Sequence, residues 1–194
     1  LRQEPYRELR EDMRYPEQFC LSHPSTVEIF SAMAEDLLAV HTASAFHVGG
    51  EGTRFLGLCP ACQARTKDLG GRSALYLDHM GQVIRYLNAR GRTVMLWNDR
   101  LKTMSDDQIR WLPQQLLILL REFGEAQGGS EPGLYGELEH LAALGRQGWA
   151  CVINAGSKVE RIFEELDIAS EAGERRLMNG MVLGSVTREQ MTGP

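Results

Sequence analysis

The run Ala43-Ser44-Ala45-Phe46-His47-Val48-Gly49-Gly50-Glu51-Gly52-Thr53-Arg54-Phe55-Leu56-Gly57-Leu58-Cys59-Pro60-Ala61-Cys62 sets the reading of the whole chain. Residues 45–48 are apolar and short, as a buried strand is, and they break at Gly49-Gly50 into polar sequence. Barrel-type α/β enzymes present their chemistry this way: the strand fixes position, the glycines let the backbone turn, and a carboxylate such as Glu51 points into the mouth. An ordinary strand-to-loop turn also ends in glycine, so these residues alone leave both readings open.

Outward from this run, strands and helices alternate. Upstream, residues 24–40 read as a helix. Ser25 and Glu28 have capping-box spacing, although Pro24 would move the cap back to His23. Val27, Phe30, Met33, Leu37 and Leu38 share a helical stripe and are expected in the core. His41 falls at the end as a cap. Downstream, a Gly-rich loop runs to about Arg72, followed by a helix over 73–88 with Leu75, Tyr76, Met80, Val83, Ile84 and Leu87 inward. Residues 93–97 form a second strand that delivers Trp97, Asn98 and Asp99 to the same end as Glu51.

The spacing predicts a short helix capped by Ser105 and Gln108, a strand over 116–120 leading to Arg121-Glu122-Phe123, and a loop over 127–133. Beyond these come a helix over 134–144, a strand over 149–153, a helix over 157–166 and a strand over 180–183. Alternation at this spacing predicts a parallel sheet of right-handed βαβ units. Residues 1–18, charged and carrying Pro5 and Pro16, read as an extended arm with a helical turn near Arg7, leaving 19–194 as the folded domain.

Composition narrows the functions. The chain has 194 residues, 43% hydrophobic and 24% charged, as for an ordinary globular domain. A net charge of −5 gives no broad attraction to nucleic acid. No apolar run approaches the roughly 20 residues that span a bilayer. The first residues, Leu-Arg-Gln-Glu-Pro, are neither a signal peptide nor an initiator Met, and a trimmed, processed or fragmentary chain is expected. Four cysteines, Cys20, Cys59, Cys62 and Cys151, are too few for a disulfide scaffold and point to an intracellular, reducing compartment. Cys59 and Cys62 have zinc-type or redox-type spacing, but a pair is two ligands short of a structural zinc site. Cys20 and His79 would complete it only if the fold brought them there. Plain thiols, no metal and no cofactor are the expectation. His23, His79 and His140 read as helix-surface residues, and His47 is placed in a pocket.

The stretch His47-Val48-Gly49-Gly50-Glu51-Gly52 resembles the His-x-Gly-Gly-Asp-Glu motif of glycoside hydrolase family 20, the β-N-acetylhexosaminidases, and within it the hexosaminidase D-like branch. Phe19-Cys20-Leu21-Ser22-His23-Pro24, Leu56-Gly57-Leu58-Cys59-Pro60-Ala61-Cys62 and Leu96-Trp97-Asn98-Asp99 extend the likeness. It is firm over residues 16–101 and weaker beyond. The resemblance implies part of a (β/α)8 TIM barrel, about five parallel βα units corresponding to barrel strands 4–8. The missing units would come from another chain or an unseen segment; otherwise the five form an open, flavodoxin-like sheet, whose edge the arm could cover.

The departures decide the expected function. In the family the Asp orients the substrate's acetamido group, which attacks the anomeric carbon, and the Glu is the general acid and base. Here those places hold Glu51 and Gly52. The interval from His47 to Gly57 and Cys59 matches without a gap, so no shift of alignment restores the acid. Positioned acid catalysis contributes roughly 10²–10⁴-fold, and glycine offers no proton. The sugar-gripping Arg of the family's first strand has no counterpart. Where relatives carry Trp-Asp-Tyr, this chain has Arg121-Glu122-Phe123, and the last pocket Trp is replaced near Gly184-Ser185. Substrate contacts would fall to His47, Trp97, Asp99, Glu122 and Phe123. The expected protein is a degenerate family-20-like domain, catalytically inactive and acting as a structural or interaction subunit with a protein partner. The alternative is an active β-N-acetylhexosaminidase using Glu51 as its catalytic residue, and a third reading is an N-acetylhexosamine-binding module.

Overall fold

The computed structural model describes residues 1–123, 134–153 and 178–184. A 3-10 helix, Glu4–Leu9, leads into the antiparallel pair β1 (Arg10–Asp12) and β2 (Tyr15–Phe19). Then follow α1 (Ser25–Val40), β3 (Ala45–His47), α2 (Pro60–Leu69), α3 (Arg72–Asn88) and β4 (Thr93–Trp97). A 3-10 turn, Leu101–Thr103, precedes α4 (Asp106–Arg110), β5 (Leu117–Phe123), α5 (Leu134–Ala143), β6 (Gln147–Ile153) and β7 (Met178–Gly184). The expected loop 127–133 and helix 157–166 lie outside the described residues.

β3 to β7 form one parallel sheet in the spatial order β3-β4-β5-β6-β7. That order separates the two architectures the sequence left open. A doubly wound sheet reverses its strand order at a switch point. Here every strand pairs with its successor in the chain, as around a barrel, and right-handed crossovers then place the intervening helices on one face. The sheet is a five-strand arc of a (β/α)8 barrel.

Burial follows from this placement. Along β4, Val94 and Leu96 are fully buried, while Thr93, Met95 and Trp97, on the opposite face, are only half-buried. Val94 and Leu96 join Leu75, Tyr76, Ile84 and Leu87 of α3 and Ile118 and Leu120 of β5 in one core. All six positions of residues 73–88 expected inward are buried. Above α3, α1 is held by Tyr86, whose hydroxyl lies 2.6 Å from Glu35 Oε1 and donates to the Ser31 carbonyl.

Three expectations change. Residues 1–18 are not an extended arm but a 3-10 turn and a β-hairpin. The hairpin bonds to the loop after Gly52 rather than to the sheet edge: Gln18 Oε1 accepts from Phe55 N–H at 2.9 Å, and Tyr15 stacks on Phe55 at 4.6 Å. Second, the stripe on α1 is only partly core. Ala34 is buried and Phe30 and Leu38 pack against the core, but Met33, Leu37 and Val40 are exposed. Third, α2 occupies part of the expected loop. Its polar sequence carries no apolar stripe, yet Cys59 caps it, Pro60 opens it and Gly70 ends it in the left-handed conformation.

At the start of α1, Pro24 occupies the cap position without a side-chain hydrogen bond, and His23 Nδ1 accepts Ser25 N–H at 3.2 Å. His79 is buried rather than on a helix surface. No helix among the described residues is long and apolar enough to cross a membrane.

Candidate functional site at the strand ends

The bend after β3 is built by backbone hydrogen bonds and glycine. Val48 N–H donates to Met95 O and Trp97 N–H to Gly49 O, both at 3.0 Å, so pairing with β4 continues past His47. Gly49, Gly50 and Gly52 take φ of +72°, +93° and +69°, the left-handed region where a Cβ is strained. Tyr76 Oη, from α3, donates to the Gly50 carbonyl at 3.0 Å and fixes the turn.

Glu51 is exposed and folds back over the bend: its Oε2 lies 3.1 Å from where a Cβ of Gly49 would stand. Gly52 has open space around the position a side chain would take. Burial raises the pKa of Tyr76; Glu51 and Asp99 push it further up and Arg100 opposes them. The ends of β3 and β4 therefore bring Glu51 and Asp99 around one phenol.

His47 and Trp97 meet edge to face, ring centroids 4.7 Å apart. His47 Nδ1 accepts Gly49 N–H at 3.1 Å, which leaves the ring proton on Nε2. Desolvation lowers the His47 pKa, and the Glu51 charge works against it. The sequence-predicted His47, Glu51, Trp97 and Asp99 thus share one corner of the sheet. Glu122 and Phe123 stand at the end of β5 by backbone register, opposite Val152 and Ile153 of β6.

Sequence reasoning missed Glu137. It reaches from α5 to accept Asn98 Nδ2 at 2.6 Å and to pair with Lys102 Nζ at 2.6 Å. These three residues line a cavity of about 230 Å³ with Met104, His140 and Leu141. A helical Glu four residues into an amphipathic segment carries no signal of its own; only the fold brings it to the end of β4.

The cysteines converge more than their spacing foretold. Cys20 Sγ lies 3.4 Å from Cys59 Sγ and 3.6 Å from Cys62 Sγ. Ser22 Oγ donates to Cys62 Sγ at 3.1 Å, and Cys62 N–H to Cys59 Sγ at 3.3 Å. Cys20 and Ser22 hold the Cys62 thiol down at about 7, while hydrogen bonding to Cys62 and burial push Cys20 up. Glu11, buried in β1, completes the cluster, and His79 is not part of it.

Comparison with known proteins agrees with this architecture. The family model for the glycosyl hydrolase family 20 catalytic domain matches residues 3–119. None of the curated proteins matches the sequence. Among solved structures, the β-N-acetylhexosaminidase from Bacteroides fragilis NCTC 9343 superposes with a TM-score of 0.57 at 18% identity, over 76% of this chain and 29% of that one. Flavobacterium johnsoniae chitobiase gives 0.53 at 16%, over 71% of this chain and 20% of its own. The chain therefore spans under a third of the length of either structure. With the family model matched over residues 3–119 of 194, the chain belongs to glycosyl hydrolase family 20, of whose catalytic domain it carries a divergent part.

Proposed function

We propose that this chain is a family 20 domain without glycosidase turnover that serves as a structural or interaction part of a larger, barrel-completing assembly. One observation carries the reading: the position after Glu51, where the family keeps its general acid, is Gly52, in a left-handed turn with no side chain to offer. Glu51 cannot both orient an acetamido group and deliver a proton. Relative to Asp it also carries one more methylene, and a misplacement near 1 Å can cost about 10²-fold in rate. Glu137, the other buried carboxylate at these strand ends, is engaged by Lys102 and Asn98.

The assembly role is supported by the open side of the arc. Among the described residues β3 pairs with β4 alone, so its other edge presents unpaired backbone groups. Beside it α1 exposes Met33, Leu37 and Val40, an i, i+4, i+7 stripe. A neighbouring βα unit, from a partner or from another segment, would cover both. A reducing compartment suits the three free thiols Cys20, Cys59 and Cys62.

A second reading, retained binding of an N-acetylhexosamine, is favoured by the His47–Trp97 corner, where a half-buried indole faces the mouth beside Glu51. The test uses a chromogenic N-acetylglucosaminide and N-acetylgalactosaminide with the purified chain. Hydrolysis at the uncatalysed rate, unchanged in Glu51→Gln, is expected. Turnover abolished by Glu51→Gln would overturn the proposal. Saturable quenching of tryptophan fluorescence by N-acetylglucosamine, absent in Trp97→Ala, would establish the binding reading.

A further inference from the structure

The geometry points to a structural divalent-metal site, suited to zinc, formed by Cys20, Cys59, Cys62 and Glu11. The four ligand atoms lie within 4.8 Å of one another. Zinc–sulfur bonds of about 2.3 Å in a tetrahedron set sulfur atoms roughly 3.8 Å apart. The observed 3.4 Å and 3.6 Å between Cys20 and its two partners are close to that edge before any ion draws the ligands into place.

Glu11 supplies the independent observation. It is 2% exposed. Its Oε1 accepts Leu58 N–H at 2.6 Å and Cys59 N–H at 3.0 Å. Its Oε2 is buried with no hydrogen-bond partner among the described residues. A buried carboxylate oxygen left bare beside three thiols is costly. Neither of the two thiol-only alternatives relieves it. A Cys20–Cys59 disulfide would consume two sulfurs and leave Cys62 and Oε2 as they are, and a Cys59–Cys62 redox pair would do the same for Cys20. A cation uses all four groups.

The surroundings are already arranged for anionic ligands. Ser22 Oγ donates to Cys62 Sγ, Cys62 N–H to Cys59 Sγ, and two backbone amides to Glu11. Such outer contacts orient ligands and hold their charge. Cys59 is the N-cap of α2 and Cys62 sits in its first turn, where the helix dipole favours thiolates. Binding joins one Zn²⁺ to three thiolates and one carboxylate, a complex of net charge −2, and releases the three thiol protons to solvent.

With four protein ligands the site is closed, which marks it as structural rather than catalytic. Its ligands come from the hairpin, from the segment before α1 and from the start of α2. The ion would therefore pin the loop that leaves Glu51 and Gly52 to the N-terminal hairpin.

The test uses the full chain, purified under reduction without a polyhistidine tag. Inductively coupled plasma mass spectrometry after zinc loading and desalting is expected to find one zinc per chain. Cobalt(II) should give tetrahedral d–d bands with thiolate charge transfer. Competition with a chromophoric chelator should show zinc affinity falling at least about tenfold in Glu11→Gln and about tenfold in Ser22→Ala, and further in Cys62→Ser. Less than a tenth of an equivalent of zinc in the loaded wild type would overturn the site, as would a disulfide among these cysteines under reduction. Wild-type affinity and an unchanged cobalt spectrum in Glu11→Gln would remove Glu11 from it. The wild-type metal content decides even if a cysteine variant fails to fold.

Discussion

Tyr76 Oη donates to the Gly50 carbonyl at 3.0 Å and at the same time closes off the space in which residue 50 could carry a side chain. A Cβ there would stand 2.6 Å from Tyr76 Oη and 2.2 Å from Leu96 Cδ1, on a backbone with φ of +93°. Overpacking and left-handed strain together predict that Gly50→Ala loses about 2–4 kcal/mol. Tyr76→Phe should lose about 1–2 kcal/mol, the value of one buried hydrogen bond. Urea unfolding followed by circular dichroism measures both. A Gly50→Ala midpoint equal to wild type would contradict the fit.

Gly52, two residues on, should behave differently. It too is left-handed, φ +69°, but a Cβ there meets nothing within 4 Å. Only the conformational penalty applies, so Gly52→Glu is expected to fold with a loss of about 1–2 kcal/mol. The pair Glu51→Asp with Gly52→Glu, which restores the family's Asp-Glu order, should therefore yield a soluble folded protein. Its hydrolysis of a chromogenic hexosaminide relative to wild type measures how much of the lost activity lies in the absent acid alone.

His79 makes stability depend on pH. It is buried in α3, its Nδ1 has no hydrogen-bond partner among the described residues, and burial holds its pKa at about 4 against a weaker pull from Asp78. In the unfolded chain a histidine titrates near 6.5, so between about 6.5 and 4 the unfolded state binds the proton and the folded state does not. The neutral ring's contribution is fully present above the unfolded pKa and is lost as pH falls towards 4, a total of about 3 kcal/mol. In His79→Leu, the loss of unfolding free energy between pH 7 and pH 4.5 should shrink by about 2–3 kcal/mol. An unchanged pH profile in that variant would mean the ring is not held neutral.

The parts of this structure legible in the sequence were those where local signals agree with the fold. The apolar faces of β4 and α3, the Ser105–Gln108 capping box and the bend at Gly49-Gly50 all appear as read. Two kinds of feature were not legible. One is structure without an apolar stripe: α2 is polar along most of its length and is held by its caps and by Cys62, so periodicity could not find it. The other is long-range convergence. Glu11 meets Leu58 and Cys59 across 47 and 48 residues, and Cys20 meets Cys59 across 39. Spacing of Cys59 and Cys62 signalled half of that cluster. The rest depended on a hairpin in residues expected to be an arm, because a three-residue strand such as β1 carries too little pattern to read. On α1 the misreading was of another kind: Met33 and Leu37 have core periodicity, and the surface they match is not among the described residues.

That face of α1 gives the last prediction. Leu37 and Met33 are 46% and 59% exposed, whereas Ala34, between them in sequence, is 1% exposed against the core. If the stripe were part of this domain's own core, a charge in it would cost several kcal/mol, as Ala34→Asp should, at about 3 kcal/mol or more. If it faces a neighbouring βα unit, Leu37→Lys should leave the unfolding free energy of the isolated chain within about 0.5 kcal/mol while weakening self-association or partner capture. Hydrogen exchange reads the same surface from the backbone. Outer amides of β3, which pair with no strand among the described residues, should exchange rapidly in the isolated chain and slow in the assembly. Destabilisation of Leu37→Lys comparable to that of Ala34→Asp, measured in the same urea series, would show that the arc closes on itself and needs no neighbour.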